Sequence, residues 1–207
     1  MSGIVCETER LRLRSWEAED SDRFYEVMNT PLVMRHLGGV QDRTTWGAAF
    51  DRLQGYQRDF GHTFWLVERR SDGELLGFCG LKRVNSPGAG DLGGTVEIGW
   101  RLRESAWGHG YAKEAAIASL DLAFERLGAP DVVALTVDAN EESQGLMKRL
   151  GMSRREDLDF EDLRFGPELN PCIVYRIGAE EWPSAREAAL SGLAGPSADR
   201  SPLTAGR

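Results

Sequence analysis

The chain has 207 residues, a formal net charge of -8, 41% hydrophobic residues and 24 glycines. That length suits a single domain with its own core, and the apolar share excludes wholesale disorder. The acidic balance argues against non-specific binding to nucleic acid or to an anionic membrane. No apolar run reaches the roughly 18 residues of a membrane span, and the opening MSGIVCETERLRLR holds no apolar signal core. Cys6, Cys79 and Cys172 are odd in number and far apart, as are His36, His62 and His109. Neither a disulfide framework nor a metal site is expected, and a cytoplasmic setting follows.

Glu9–Arg14 alternates leucine with arginine and predicts a half-buried strand. Residues 18–29 predict a helix with Phe24, Val27 and Met28 on one face. Thr44 is the expected cap of a second helix carrying Trp46, Phe50, Leu53 and Phe60. Thr63–Val67 and Leu75–Leu81 read as a hairpin turned at Asp72-Gly73. A glycine-rich loop, 85–94, precedes the strand Thr95–Leu102. In that strand Val96, Ile98 and Trp100 share one face and Glu97 takes the other. The helix at 110–127 spaces Ile117, Leu120, Phe124 and Leu127 by 3, 4 and 3, and is stopped by Gly128 and Pro130. Val132–Val137 is continuously apolar, as in a buried strand. Asn140 or Ser143 caps a short helix bearing Leu146, Met147 and Leu150, and Cys172–Ile177 is the last strand. In residues 183–207, Gly, Pro, Ser and Ala fill 16 of 25 positions, which predicts a disordered tail, the alternative being a short docked helix around Ala185–Leu190. The fold class is α+β, an α/β three-layer domain with a β-α-β unit set among antiparallel hairpins.

The chemistry concentrates in Arg103–Glu114, RESAWGHGYAKE, between a strand end and a helix start. Gly108 and Gly110 permit positive φ and let main-chain N–H groups approach a ligand. Together with the open amides of the first helical turn they form an anion site suited to a pyrophosphate. A Walker loop, GxxxxGK[ST], is absent. A dinucleotide GxGxxG is incomplete, since Tyr111-Ala112-Lys113 follows Gly110 with no third glycine. A short acyl-CoA loop is the remaining alternative.

On these residues the chain resembles the GCN5-related N-acetyltransferase (GNAT) superfamily, and its RimJ/RimL-like branch in particular. The resemblance rests on Glu97-Ile98-Gly99-Trp100, on Trp107-Gly108-His109-Gly110-Tyr111-Ala112-Lys113-Glu114-Ala115, on Asn140-Glu141-Glu142-Ser143 and Leu150-Gly151-Met152, and on the opening Thr8–Arg14. It spans roughly residues 7–178. It implies the GNAT fold, a mostly antiparallel mixed sheet around a β-α-β acyl-CoA core, with acetyl-CoA as co-substrate and no metal. It also implies that the amides of Gly108, His109, Gly110, Tyr111, Ala112 and Lys113, behind Trp107, hold the pyrophosphate. Strand 97–102 would splay from strand 132–137, Leu102 and Arg103 would offer main-chain groups to the pantetheine arm, and Asn140 would bond to it. Lys113, Arg103 and Arg149 are candidates to meet phosphate charge.

An amine with a lysine-like pKa near 10.4 is protonated at neutral pH and must lose a proton before it attacks a thioester. Glu97 is the expected general base, acting through water. Where many relatives carry a tyrosine acid for the leaving thiolate, this chain has Met147, so Ser143 is the candidate in its place. The acceptor is a primary amine, on a protein N-terminus or a small molecule. The acidic run Glu156, Asp157, Asp159, Glu161 and Asp162 could form a rim that attracts it. A homodimer is a further expectation of the resemblance. The alternative function is a non-catalytic acyl-CoA sensor on the same fold.

Overall fold

The computed structural model describes residues 3–193. Eight strands make one sheet: β1 (Ile4–Glu7), β2 (Leu11–Arg14), β3 (Phe64–Arg69), β4 (Leu75–Arg83), β5 (Val96–Leu102), β6 (Asp131–Val137), β7 (Ser153–Arg154) and β8 (Cys172–Gly178). Their spatial order is β1-β2-β3-β4-β5-β6-β8-β7. Every neighbouring pair is antiparallel except β5 and β6. Six helices complete the domain: α1 (Asp20–Met28), α2 (Pro31–Met34), α3 (Arg43–Phe60), α4 (Tyr111–Asp121), α5 (Glu141–Arg149) and α6 (Trp182–Ser191). None of the described helices is long and apolar enough to cross a membrane.

Strand alternation divides the apolar residues between two layers. Leu11, Leu13, Trp65, Val67, Leu81 and Ile98 pack with Ile117 and Leu120 of α4 and with Trp182 and Ala189 of α6. On the opposite face Leu66 and Phe78 meet Trp16, Phe24, Met28, Trp46 and Phe50 from the α1–α3 layer. The expected three-layer α+β arrangement is therefore present, with β5-α4-β6 as its β-α-β unit. A third, smaller cluster places Val84, Ala89 and Leu92 against Val133, Val174 and Phe160. Much of the glycine-rich loop is thereby fastened to β6 and β8.

Several boundaries differ from the sequence reading. Asp42, not Thr44, caps α3, its carboxylate accepting from the Thr45 N–H at 2.7 Å. Phe60 stands exposed at that helix's last turn. The α-helix of α4 ends at Asp121 and continues as a wide π turn over 122–126. β1 and the single turn α2 were not anticipated. The predicted disordered tail at 183–207 is corrected over its first part. Residues 182–191 are helical, with Pro183 in the first turn and Trp182 and Ala189 buried. Alanine is the strongest helix former and proline suits a helix start, so small-residue composition misled here. Residues 194–207 lie outside the described residues.

One buried ion cluster ties the N-terminal layer to the sheet. Arg14 reaches both Asp20 oxygens, at 2.6 and 2.7 Å, and Glu68 at 2.9 Å. Removing one member of a buried, hydrogen-bonded cluster strands the others without a counter-charge, a loss of about 3–5 kcal/mol. Arg14→Ala is therefore expected to lower the melting temperature by roughly 10 °C or more in a thermal unfolding scan.

Candidate functional site

β5 and β6 are paired only at Val96–Val132 and Glu97–Val133. Beyond Glu97 the two strands part, while β5 stays paired with β4 through Leu102. The Arg103 N–H donates to Leu76 O at 2.8 Å, which sets the phase of the β4–β5 ladder. Residues 99, 101 and 103 turn their main-chain groups to β4, and residues 98, 100 and 102 turn theirs into the gap. The opening is the deep end of a cleft of about 880 Å³ that runs from the α2 side of the sheet to the start of α4.

The glycine loop closes one end of the cleft. Gly108 and Gly110 adopt φ of 78° and 77°, a region that L side chains enter only with strain. Among the described residues the main-chain N–H groups from Gly108 to Lys113 find no acceptor within the protein, the first intrahelical bond being Glu114 N–H to Gly110 O. Six open amides at the positive end of α4 fit a diphosphate. Lys113 and Arg149 line the same end. Burial, and then the Arg149 charge, hold the Lys113 ammonium below the usual lysine range. The loop is braced from behind. Glu114, buried in α4, accepts from Thr8 Oγ1 at 2.5 Å, from the Arg10 N–H at 2.9 Å and from Arg10 Nε at 2.6 Å. Arg10 Nη1 then donates to His109 O at 2.9 Å.

Trp107, Gly108, Gly110, Tyr111, Ala112, Lys113, Leu102, Asn140 and Ser143 are brought together around the cleft. Asn140 caps α5, its Oδ1 accepting from the Ser143 N–H at 3.2 Å. Trp107 Nε1 donates to Leu102 O at 2.7 Å, so one lone pair of that carbonyl is already used. Arg103 does not line the cleft, and His109 offers it only a main-chain amide. Arg103 turns its N–H into the sheet and its guanidinium to Glu74, 2.8 Å away. The ladder phase decides this, since residues 101 and 103 share an orientation opposite to that of 102. The exposed His109 ring stacks with Tyr111 at 5.7 Å, outside the cleft.

Glu97 sits at the seam where β5 and β6 part. It is 8% exposed, on the face of β5 opposite Ile98. Lys82 Nζ lies 3.3 Å from Oε2, yet that oxygen is buried with no hydrogen-bond donor aligned to it. Burial raises the Glu97 pKa above the ordinary carboxylate value, and Lys82 only partly offsets this. Ser86, Asp162, Arg164 and Cys172 complete this end of the cleft. Three of the five acids in the run behind it are paired. Asp159 pairs with Arg154, Asp157 with Arg155 and Asp162 with Arg164. The arginines that pair with these three stand on either side of the acids in sequence, a signal the charge count passed over. Lys82, Arg101, Arg10 and Glu114 are the site and bracing residues that sequence reasoning missed. Of these, Arg101 was signalled by its two-residue spacing from Gly99 and Glu97.

A sheet opened at its one parallel pair, with a bare glycine turn heading the crossover helix, belongs to the acetyltransferase class of folds. Residues 10–153 match the model of the acetyltransferase (GNAT) domain, and the chain belongs to that family. Among curated proteins it is 31% identical to the uncharacterized protein YkkB of Bacillus subtilis over 146 residues, 70% of this chain and 83% of that one. It is 29% identical to the uncharacterized N-acetyltransferase YnaD of the same organism over 176 residues, covering 84% and 97%. In fold it resembles the spermidine N-acetyltransferase of Vibrio cholerae, solved in complex with CoA and spermine. The TM-score there is 0.65 at 16% identity, over 84% of this chain and 99% of that one.

Proposed function

We propose that this acetyltransferase moves the acetyl group of acetyl-CoA to a primary amine by direct attack on the thioester, and that it stands in the RimJ/RimL-like branch of its family. Acetyl-CoA supplies an acyl group already activated as a thioester. Everything else falls to the chain. The open amides of 108–113 hold the diphosphate, and Lys113 and Arg149 add positive charge. Main-chain groups of Ile98, Trp100 and Leu102 face the gap, where an extended arm can pair with them as a missing strand would. Asn140 and Ser143 stand at its far wall.

Glu97 is the general base of this reading. Its carboxyl, buried at the seam where β5 and β6 part, is the observation that carries the proposal, because the incoming ammonium must lose a proton there. Ser143 is the hydroxyl placed to serve the departing thiol, since Met147 is buried and carries no proton to give. Direct transfer rather than a covalent acyl-enzyme is favoured by the cysteines. Cys172 alone among the three lines the cleft. Burial pushes its thiol up to about 12, far from a thiolate at neutral pH.

The acceptor class, a protein N-terminus or a small amine, is tested by following free thiol release from acetyl-CoA across a panel of both. Turnover with at least one amine, first order in enzyme, is the expected outcome. Heat protection by acetyl-CoA without thiol release across the whole panel would make the chain a sensor instead.

A further inference from the structure

The acceptor face of β5 carries three residues in alternation, Glu97, Gly99 and Arg101. At Gly99 the Phe64 ring packs directly on the strand, where a Cβ would fall 2.6 Å from it. Phe64 lies flat against Phe78 at 5.2 Å. Arg101, opposite Phe78 in the ladder, sets its guanidinium 5.1 Å from that ring. Its only hydrogen-bond acceptor among the described residues is the Met34 sulfur, 3.4 Å from Nη1. Nε is shielded from solvent and has no acceptor. No carboxylate among the described residues forms an ion pair with this side chain. Arg14, the other guanidinium held inside the N-terminal half, has two.

A planar fork of donors set beside the Phe78 ring and the Met34 sulfur, at the wall of a substrate cleft, lacks one thing, a planar anion. We infer that Arg101 receives an oxyanion of the acceptor, so the substrate is a small amine that also bears a carboxylate or a phosphonate-like group. The inference rests on the transferase reading above and narrows its acceptor. Four residues of strand separate Glu97 from Arg101, about 13 Å between Cα atoms. The amine is then drawn to the Glu97 end, where the strands part, and its anion to the Arg101 end, past the Phe64 ring that covers Gly99. Burial pushes the Arg101 pKa down to about 10, which leaves the group cationic at neutral pH. A polyamine, positive at both ends, would set like charge against it.

The test compares matched pairs, each an amino carboxylate of graded chain length with its neutral carboxamide, alongside an aminoalkyl phosphonate series. Thiol release is read in wild type and Arg101→Met, and calorimetric binding is read in the CoA-loaded protein. Wild type is expected to favour one anionic series over its neutral partner by at least 30-fold in kcat/KM, carried mainly by KM. Which series leads tells carboxylate from phosphonate. Arg101→Met should bring that ratio to within about threefold of one, with Arg101→Lys between them. The methionine keeps the apolar contacts of the stem and removes an unpaired internal charge, so its melting temperature should not fall. A wild-type ratio near one, or preference for a polyamine, would overturn the inference while turnover left the transferase reading standing. So would a CoA-loaded protein that binds no member of either anionic series. Failure to bind acetyl-CoA at all would remove the transferase reading, and this inference with it.

Discussion

Glu97→Gln is expected to lower kcat by roughly 10²–10⁴-fold, the range of a lost general base, with the affinity for acetyl-CoA unchanged. The amide keeps the shape of the side chain and its place at the seam, but cannot take the proton. The pH dependence gives a second readout. The Glu97 pKa is raised, chiefly by burial, so the basic form is present above that raised value and is lost as pH falls through it. The acid limb of kcat/KM should therefore lie higher than an ordinary carboxylate would put it, and should vanish in the variant. Stability runs the other way. A carboxyl whose folded-state pKa is raised contributes stability below its unfolded value and loses that contribution as pH rises through the folded value. Above that folded value the charged Glu97 is thus a burden on the fold, and the glutamine variant should there melt no lower than wild type. Undiminished turnover in Glu97→Gln would remove this residue from the mechanism, and a large drop in melting temperature would mark it as structural.

Gly110→Asp should reduce affinity for acetyl-CoA by more than 100-fold in a calorimetric titration. At φ of 77° any L residue meets strain of about 1–2 kcal/mol. The larger effect is charge, since a carboxylate some 4–5 Å from a phosphate costs about 3–4 kcal/mol at an effective dielectric near 20. Asparagine separates the two. It enters the left-handed region more readily than most residues and carries no charge, so Gly110→Asn should lose about tenfold. A built Cβ lies no closer than 3.6 Å to any neighbour, and a carboxylate suits a helix N-terminus. Both variants are therefore expected to fold. Equal affinities for the aspartate and asparagine forms would show that no phosphate sits at this turn.

How much of this was legible in the sequence depends on the range over which each residue is decided. The glycine turn and α4 were readable because positive φ and helical spacing are local properties. The two-residue period of Val96, Ile98 and Trp100 set Glu97 apart in the same way. Helix α6 took second place to a tail because alanine and serine were weighed as loop residues, while the docking of Trp182 in the core is a long-range fact. Arg103 came in only through the family resemblance, as a main-chain partner of the cofactor arm. Only the register against β4 shows that its main chain faces the wrong way. Lys82 comes to Glu97 from the neighbouring strand, where Lys82 and Glu97 are cross-strand partners. The acids of 156–162 needed their arginines placed before their charge could be judged.

The seam of two residue pairs between β5 and β6 has a mechanical consequence. It divides the sheet into a five-stranded leaf and a three-stranded leaf, stitched by few hydrogen bonds and otherwise clasped by packing. A thioester lodged there acts as a rivet. Part of its binding free energy goes to joining the leaves, so occupancy and heat resistance must rise together with ligand concentration.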